Sequence, residues 1–313
     1  MRYLGVDFLR MEYLFFRMKY LSKRFPLFLI LIVCSSILSF AQELKVLTIG
    51  NSFSQSLSRY FNDVVNSVDG CKLDLEFANF GGCELDRHWK YITEEEQQNK
   101  QIYRKGKTTL KKILQSKKWD IITIQQASHK SYIKESYFPY AQNIVDYVKK
   151  HCPTAKIYIQ QTWSYRADSP RLKQWKLSQY AMFEKLKDAY TNASLKLDVK
   201  QIYMGQAVQL ARKAITEPFV VPTDLKSYKY PDMPRQAGDV VGKYYWKKSK
   251  KGYMYLASDT IHLNQYGEYL QACVWFATLY KKSATNIKFI PEIMDNTTAK
   301  RFQEIADKVA FLQ

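Results

Sequence analysis

Two short motifs hold the residues best suited to chemistry. Ser52 lies in Ile-Gly-Asn-Ser-Phe-Ser at 49–54, and Asp259 and His262 lie in Ser-Asp-Thr-Ile-His-Leu-Asn at 258–264. A serine hydroxyl becomes a nucleophile when an imidazole takes its proton, and a carboxylate beside that imidazole fixes its tautomer and stabilises its charged form. Each motif alone has a plainer reading. Asn51, Ser52 and Ser54 are all good helix caps, and a capping Asp with a packed His accounts for most Asp-x-x-His spacings. Together in one α/β domain, the serine after the first strand and the Asp-x-x-His on the loop before the last apolar helix point to nucleophilic acyl transfer.

Positioning these groups requires a rigid frame. Short β-like runs at 44–50, 73–79, 120–125, 156–160 and 199–205 are rich in Ile, Val, Leu, Phe and Tyr and bounded by polar residues, as strands buried on both faces should be. Between them lie 54–68, 101–117, 138–150 and 179–193, with apolar residues at helical spacing. The alternation predicts an α/β fold: a three-layer α/β/α sandwich, flavodoxin-like, around a mostly parallel sheet of about five strands. Ligands in such sheets bind beyond the carboxyl ends of the strands. That places Asn51 and Ser52, the stretch Asn79 to Gly82, Gln125 and Gln126, and Gln160 to Trp163 at one rim. Residues 216–257 break the pattern with scattered prolines, tyrosines and lysines. They read as an insertion over the mouth of the sheet, either a lid held by its own aromatic cluster or a carbohydrate platform.

On these motifs the chain resembles the SGNH/GDSL-type hydrolase superfamily, in a branch whose first block reads GNSFS and whose last reads DxxHLNxxG. The resemblance implies Ser52 as nucleophile, His262 as base, Asp259 as its orienting carboxylate, and ester hydrolysis with no metal or cofactor. Asn51 stands where the superfamily usually has Asp. The second block is matched by Asn-Phe-Gly-Gly at 79–82, so Gly82, or Gly81 one register away, joins the Ser52 N–H in an oxyanion hole. The third block departs from the pattern. Gln-Gln-Ala-Ser-His at 125–129 replaces Gly-x-Asn, which leaves Gln126 or Gln125 as the side-chain donor, with Ser128 or His129 able to occupy the same spot. Asn51, Gln161 and Trp163 are assigned to substrate, the amides for sugar hydroxyls and the indole either for stacking on a sugar ring or for packing.

Composition bounds the rest. With 313 residues, 46% hydrophobic and 15% aromatic, the chain can bury a large core, and disorder is excluded as its main state. The formal charge of +19 is spread as singletons and short runs such as 248–251, as on solvated helix faces, and no nucleic-acid-binding spacing is present, so no nucleic-acid partner is expected. Residues 1–41 read as a signal peptide, basic at first and then apolar, with Ser39 and Ala41 before the cut. Residues 42–313 then form a single exported domain, periplasmic or secreted, with no membrane span; acylation at Cys34 is the lesser alternative. Cys71, Cys83, Cys152 and Cys273 show no metal-ligand spacing, and Cys71 with Cys83 is the pair to check for a disulfide. The expected substrate is an acylated carbohydrate or another ester, most simply O-acetyl groups on a polysaccharide. The alternatives are a lipase or lysophospholipase-type acyl hydrolase and a non-catalytic glycan-binding protein.

Overall fold

The computed structural model describes residues 42–311; the leader reading and the Cys34 alternative fall outside them. Strands β1 (Gln42–Ile49), β2 (Cys71–Phe77), β3 (Ile121–Ile124), β4 (Lys156–Gln160) and β5 (Lys200–Ile202) form one sheet in the order β2-β1-β3-β4-β5. The pairs β1–β3, β3–β4 and β4–β5 are parallel, and all four residues of β3 are buried. The fifth run is cut short after Ile202, because Met204 and Gly205 open a helix instead.

Besides short helical turns at Tyr103–Gly106 and Pro170–Gln174, the helices are α1 (Ser52–Gln55), α2 (Phe61–Asn66), α3 (Leu85–Gln98), α4 (Leu110–Gln115), α5 (Tyr140–His151), α6 (Gln179–Leu197), α7 (Met204–Ala214), α8 (Gln265–Tyr280) and α9 (Asn296–Ala310). On one side of the sheet α8 packs on α2, α7 and α9; on the other α5 packs on α3, α4 and α6. This is the three-layer α/β/α arrangement. Its strand order reverses between β1 and β3, and in open sheets the ligand crevice forms at that point. Among the described residues no helix is long and apolar enough to cross a membrane, and Cys71, Cys83, Cys152 and Cys273 are unpaired and buried.

Helix α3 has no counterpart in the sequence reading, and its inward face explains why. Its buried positions are Leu85, His88, Ile92 and Glu95, so two of the four are ionisable and the apolar stripe is interrupted. The Glu95 carboxylate accepts the N–H groups of Ile102 at 3.1 Å and Leu110 at 2.8 Å. His88 lies 2.9 Å from the Gly50 carbonyl through Nε2 and 3.0 Å from the Tyr103 hydroxyl through Nδ1. Since a carbonyl only accepts, Nε2 carries the proton. His88 thereby holds the backbone two residues before Ser52.

Burial pushes the His88 imidazole down to about 4 from an ordinary 6.5. The unfolded chain takes up a proton that the folded state refuses, so stability falls as the pH drops through the ordinary imidazole range. The loss between pH 7 and pH 4 is expected to be about 3 kcal/mol. Urea unfolding across this range should show that component in the wild type and lack it in His88→Gln.

The segment read as an insertion is in large part regular. After irregular residues 215–240, β6 (Val241–Lys248) and β7 (Met254–Leu263) form an antiparallel hairpin. Strand β7 carries both Asp259 and His262, so the Asp-x-x-His motif lies on a strand and not on a loop. The ladder is bulged there. Lys243 opposes Asp259 and Val241 opposes Leu263, so Thr260, Ile261 and His262 stand against Gly242 alone. Such bulges re-aim side chains next to active sites. Gly242 has φ +84°, and a Cβ there would meet the Asp259 carbonyl at 2.7 Å and the Arg166 guanidinium at 3.0 Å. Only glycine fits this close approach.

Candidate active site

The site is built from the first junction outward. At the end of β1 the chain turns at Asn51, whose Oδ1 accepts the Phe53 N–H at 3.1 Å, while its backbone carbonyl receives the N–H groups of Ser54 and Gln55. Ser52 thus opens α1 with its side chain toward solvent, and its own N–H has no acceptor among the described residues. The bulge of β7 brings the imidazole to it: His262 Nε2 is 2.9 Å from Ser52 Oγ. On the far side of the ring, Nδ1 is 2.8 Å from Asp259 Oδ2. Asp259 Oδ1 accepts the N–H groups of Ile261 at 2.9 Å and His262 at 3.0 Å.

Partial burial alone would raise the Asp259 carboxyl. The hydrogen bond from the His262 ring and those from the two backbone N–H groups outweigh it, and the group is held well below the usual carboxylate range. It is ionised across the neutral range. An ionised Asp259 makes Nδ1 the protonated nitrogen and leaves Nε2 free to accept the serine proton.

Ser52 and His262 form the shared floor of two small clefts. One, of about 400 Å³, is walled by Gln55, Ser56, Arg59, Leu263 and Glu268, with Arg59 ion-paired to Glu268. The other, of about 370 Å³, is walled by Gly82, Ser128, His129, Tyr165 and Arg171. Gly82, exposed in a turn after β2 with φ +57°, lies on this second wall with a backbone N–H that has no acceptor among the described residues.

Several residues assigned above to the oxyanion hole or to substrate have other work. Gln126 is fully buried. Its Oε1 accepts the N–H groups of Leu85 and Ala127, and its amide donates to the Ser136 carbonyl at 2.9 Å, so it ties the β3 loop to α3. The Gln125 amide donates to Asn51 Oδ1 at 2.6 Å, and the Asn51 amide donates to the Cys83 carbonyl at 3.0 Å. Both are buried supports of the serine turn. Gln161 is buried and accepts the Gln206 N–H at 3.0 Å. Trp163 is fully buried, which rules out stacking on a sugar. It packs on Phe53, ring centroids 4.1 Å apart, and donates to the Ile261 carbonyl at 2.9 Å, joining the helix that Ser52 opens to the strand that carries His262. Of the third-block residues, Ser128 and His129 reach the cleft. Ser128 Oγ is 2.8 Å from the Tyr165 hydroxyl, and His129 Nε2 is 3.0 Å from Glu84.

The supports that sequence reasoning missed lie behind the hairpin. Arg166 is fully buried and pairs with Asp168 through two hydrogen bonds, at 2.7 and 2.9 Å. Its guanidinium lies against the rings of Phe219 and Tyr244, at 4.3 and 4.5 Å, and the Arg166 backbone N–H donates to the Thr260 carbonyl inside the bulge. Asn264 caps α8 and also donates to the Asp239 carbonyl. A lone Arg in a loop carries no sequence signal for this role. Removing one partner of a buried ion pair typically costs about 3–5 kcal/mol, so Arg166→Met is expected to lower the unfolding free energy by about that much. Chemical denaturation measures it directly.

No curated protein sequence matches the chain. Among solved structures, it is similar to a DUF4886 family protein from Bacteroides uniformis, with 26% identity, 85% of this chain and 94% of that one covered, and a TM-score of 0.67. More remote similarities include a member of the lipolytic protein G-D-S-L family from Veillonella parvula, with 8% identity, 76% and 100% covered, and a TM-score of 0.43. Another is an acetyl xylan esterase, AlAXEase, with 13% identity, 75% and 100% covered, and a TM-score of 0.41. The family model described as a domain of unknown function, DUF4886, matches residues 45–220, which take in the serine turn and the five-stranded sheet except the first three residues of β1. The chain therefore belongs to the DUF4886 family.

Proposed function

We propose that the protein is a serine hydrolase of carboxylic esters, acting on O-acetyl groups of carbohydrate and exported through its leader. The observation that carries the reading is the unbroken chain of short contacts from Asp259 through His262 to the Ser52 hydroxyl. In this mechanism Ser52 Oγ attacks the acyl carbon as its proton passes to His262 Nε2. The negative charge developing on the carbonyl oxygen is met by the Ser52 and Gly82 N–H groups, with the Ser128 hydroxyl on the same wall. The tetrahedral intermediate collapses, the imidazolium returns its proton to the departing alcohol oxygen, and an acyl group remains on Ser52. Water activated by His262 then hydrolyses that ester and regenerates the serine.

The size and polarity of the clefts support a small acyl group. The polar side chains Gln55, Ser56, Arg59 and Arg171 around Ser52 suit a hydroxylated leaving group. The test pairs two measurements on the purified protein: acetate release from acetylated polysaccharides, and covalent labelling by a fluorophosphonate. An adduct mapped to the Ser52 peptide together with acetate release is the expected result. Absence of both the adduct and acetate release would refute the proposal.

A further inference from the structure

The outward face of the β6–β7 hairpin has a one-sided chemistry that leads to the active site. Residues directly opposite in an antiparallel ladder share a face, and here Lys243 opposes Asp259, Tyr245 opposes Ala257 and Lys247 opposes Tyr255. The other face is turned inward: the Tyr244 hydroxyl bonds Asp168 at 2.5 Å, and Trp246 donates to the carbonyls of Pro231 and Asp232. Tyr245, Tyr253 and Tyr255 remain exposed, at 38%, 61% and 38%. From Val240 to Ser258 the sequence holds Lys243 and Lys247 on this face, Lys248 on the other and Lys250 and Lys251 in the turn, and neither Asp nor Glu. None of these lysines forms an ion pair among the described residues; Lys243 feels the Glu268 carboxylate only at longer range.

Three physical consequences follow. The uncompensated positive charge favours a polyanion. The exposed rings offer flat amphipathic surfaces to a ligand that also has apolar faces. At about 3.3 Å per strand residue, the row from Tyr253 to Asp259 spans about 20 Å, far longer than the clefts at Ser52, so it suits a chain and not a small ester. We propose that this hairpin face is a docking platform for a carboxylated polysaccharide, a uronate-bearing polymer whose ester groups it delivers to Ser52. The proposal rests on the esterase reading for the second half of that statement. The continuity of the row with Asp259 and His262 favours a glycan ester over a nucleic acid, the other common polyanion.

Polymer binding is measured on the full chain carrying Ser52→Ala, by affinity electrophoresis in gels containing polygalacturonate or neutral xylan. Polygalacturonate is expected to be bound at least about tenfold more tightly than xylan, with the preference erased at high salt. Lys247→Gln with Tyr255→Ala, an exposed cross-strand pair, should remove most of that preference. In the Ser52 protein, the same double substitution should lower the ratio of kcat/KM for an acetylated uronate polymer to that for p-nitrophenyl acetate. Equal binding of the two polymers would overturn the platform, as would tighter binding of single-stranded DNA than of polygalacturonate. Fluorophosphonate labelling of Ser52 judges the esterase reading separately: a protein that labels but shows no preference sinks the platform alone, and one that binds the polymer but never labels sinks the esterase alone.

Discussion

Ser52→Ala is expected to lower kcat for p-nitrophenyl acetate by about 10⁴- to 10⁶-fold. His262→Ala should cost about as much, and the double variant little more than either. Non-additivity is the informative part. Ser52 Oγ and His262 Nε2 are 2.9 Å apart and act as one unit: the imidazole has no proton to take when the hydroxyl is gone, and the hydroxyl is a poor nucleophile when the imidazole is gone. Residual turnover would come from the oxyanion donors, which both substitutions leave in place. Structural damage would look different. The Ser52 side chain is partly exposed and bonds only His262 among the described residues, so its loss should change the unfolding free energy by no more than about 1 kcal/mol. A fall in kcat below about tenfold, or two single effects that multiply in the double variant, would remove Ser52 and His262 from a shared catalytic role.

Legibility of the fold followed burial. The central strands announced themselves because a strand covered on both faces is largely apolar, and in Ile121–Ile124 the one polar residue is the β-branched Thr123, buried with its three isoleucine neighbours. Helix α3 stayed hidden for the opposite reason. His88 and Glu95 occupy two of its inward positions, and their cost is offset by hydrogen bonds to Gly50, Ile102 and Leu110 that only the tertiary structure supplies. The hairpin was obscured by lysines and tyrosines on both of its strands and by the prolines ahead of it. The bulge that turns Asp259 and His262 toward Ser52 depends on Gly242 at positive φ, one glycine among 11 with nothing local to mark it.

The site residues divide along the same line. Ser52, Asp259 and His262 carry side chains whose pairing is chemically distinctive, so their types and spacing sufficed to suggest a grouping. The amides did not behave so. Gln125, Gln126 and Gln161 are polar residues at strand ends, where a functional rim and a buried hydrogen-bonded support have the same composition. The structure shows that these three are supports. Gln126 accepts the N–H groups of Leu85 and Ala127 and donates to the Ser136 carbonyl, Gln125 donates to the Asn51 side chain, and Gln161 accepts the Gln206 N–H. All three side chains are buried in the fold and do not line the clefts at Ser52.

Asp259→Asn is expected to lower kcat by about 10⁴-fold with the fold retained. The reason lies in the three hydrogen bonds that Asp259 accepts. If the asparagine keeps its oxygen on the N–H groups of Ile261 and His262, its amide nitrogen faces His262 Nδ1 and must donate to it. Nδ1 then gives up its proton, which moves to Nε2, and Nε2 meets Ser52 as a donor unable to take the hydroxyl proton. Turning the amide over restores the tautomer but sets its N–H₂ against two backbone N–H groups, which costs two hydrogen bonds in a partly buried site. Either way the base is lost or misplaced. A second readout separates this from a packing defect. Because the wild-type carboxyl is held well below the usual range, its contribution to stability is present above the unfolded carboxylate pKa and is lost as pH falls toward the folded one. The stability gap between Asp259→Asn and wild type should therefore narrow on acidification. A gap independent of pH, or a kcat within tenfold of wild type, would show that the Asp259 charge does not govern the imidazole.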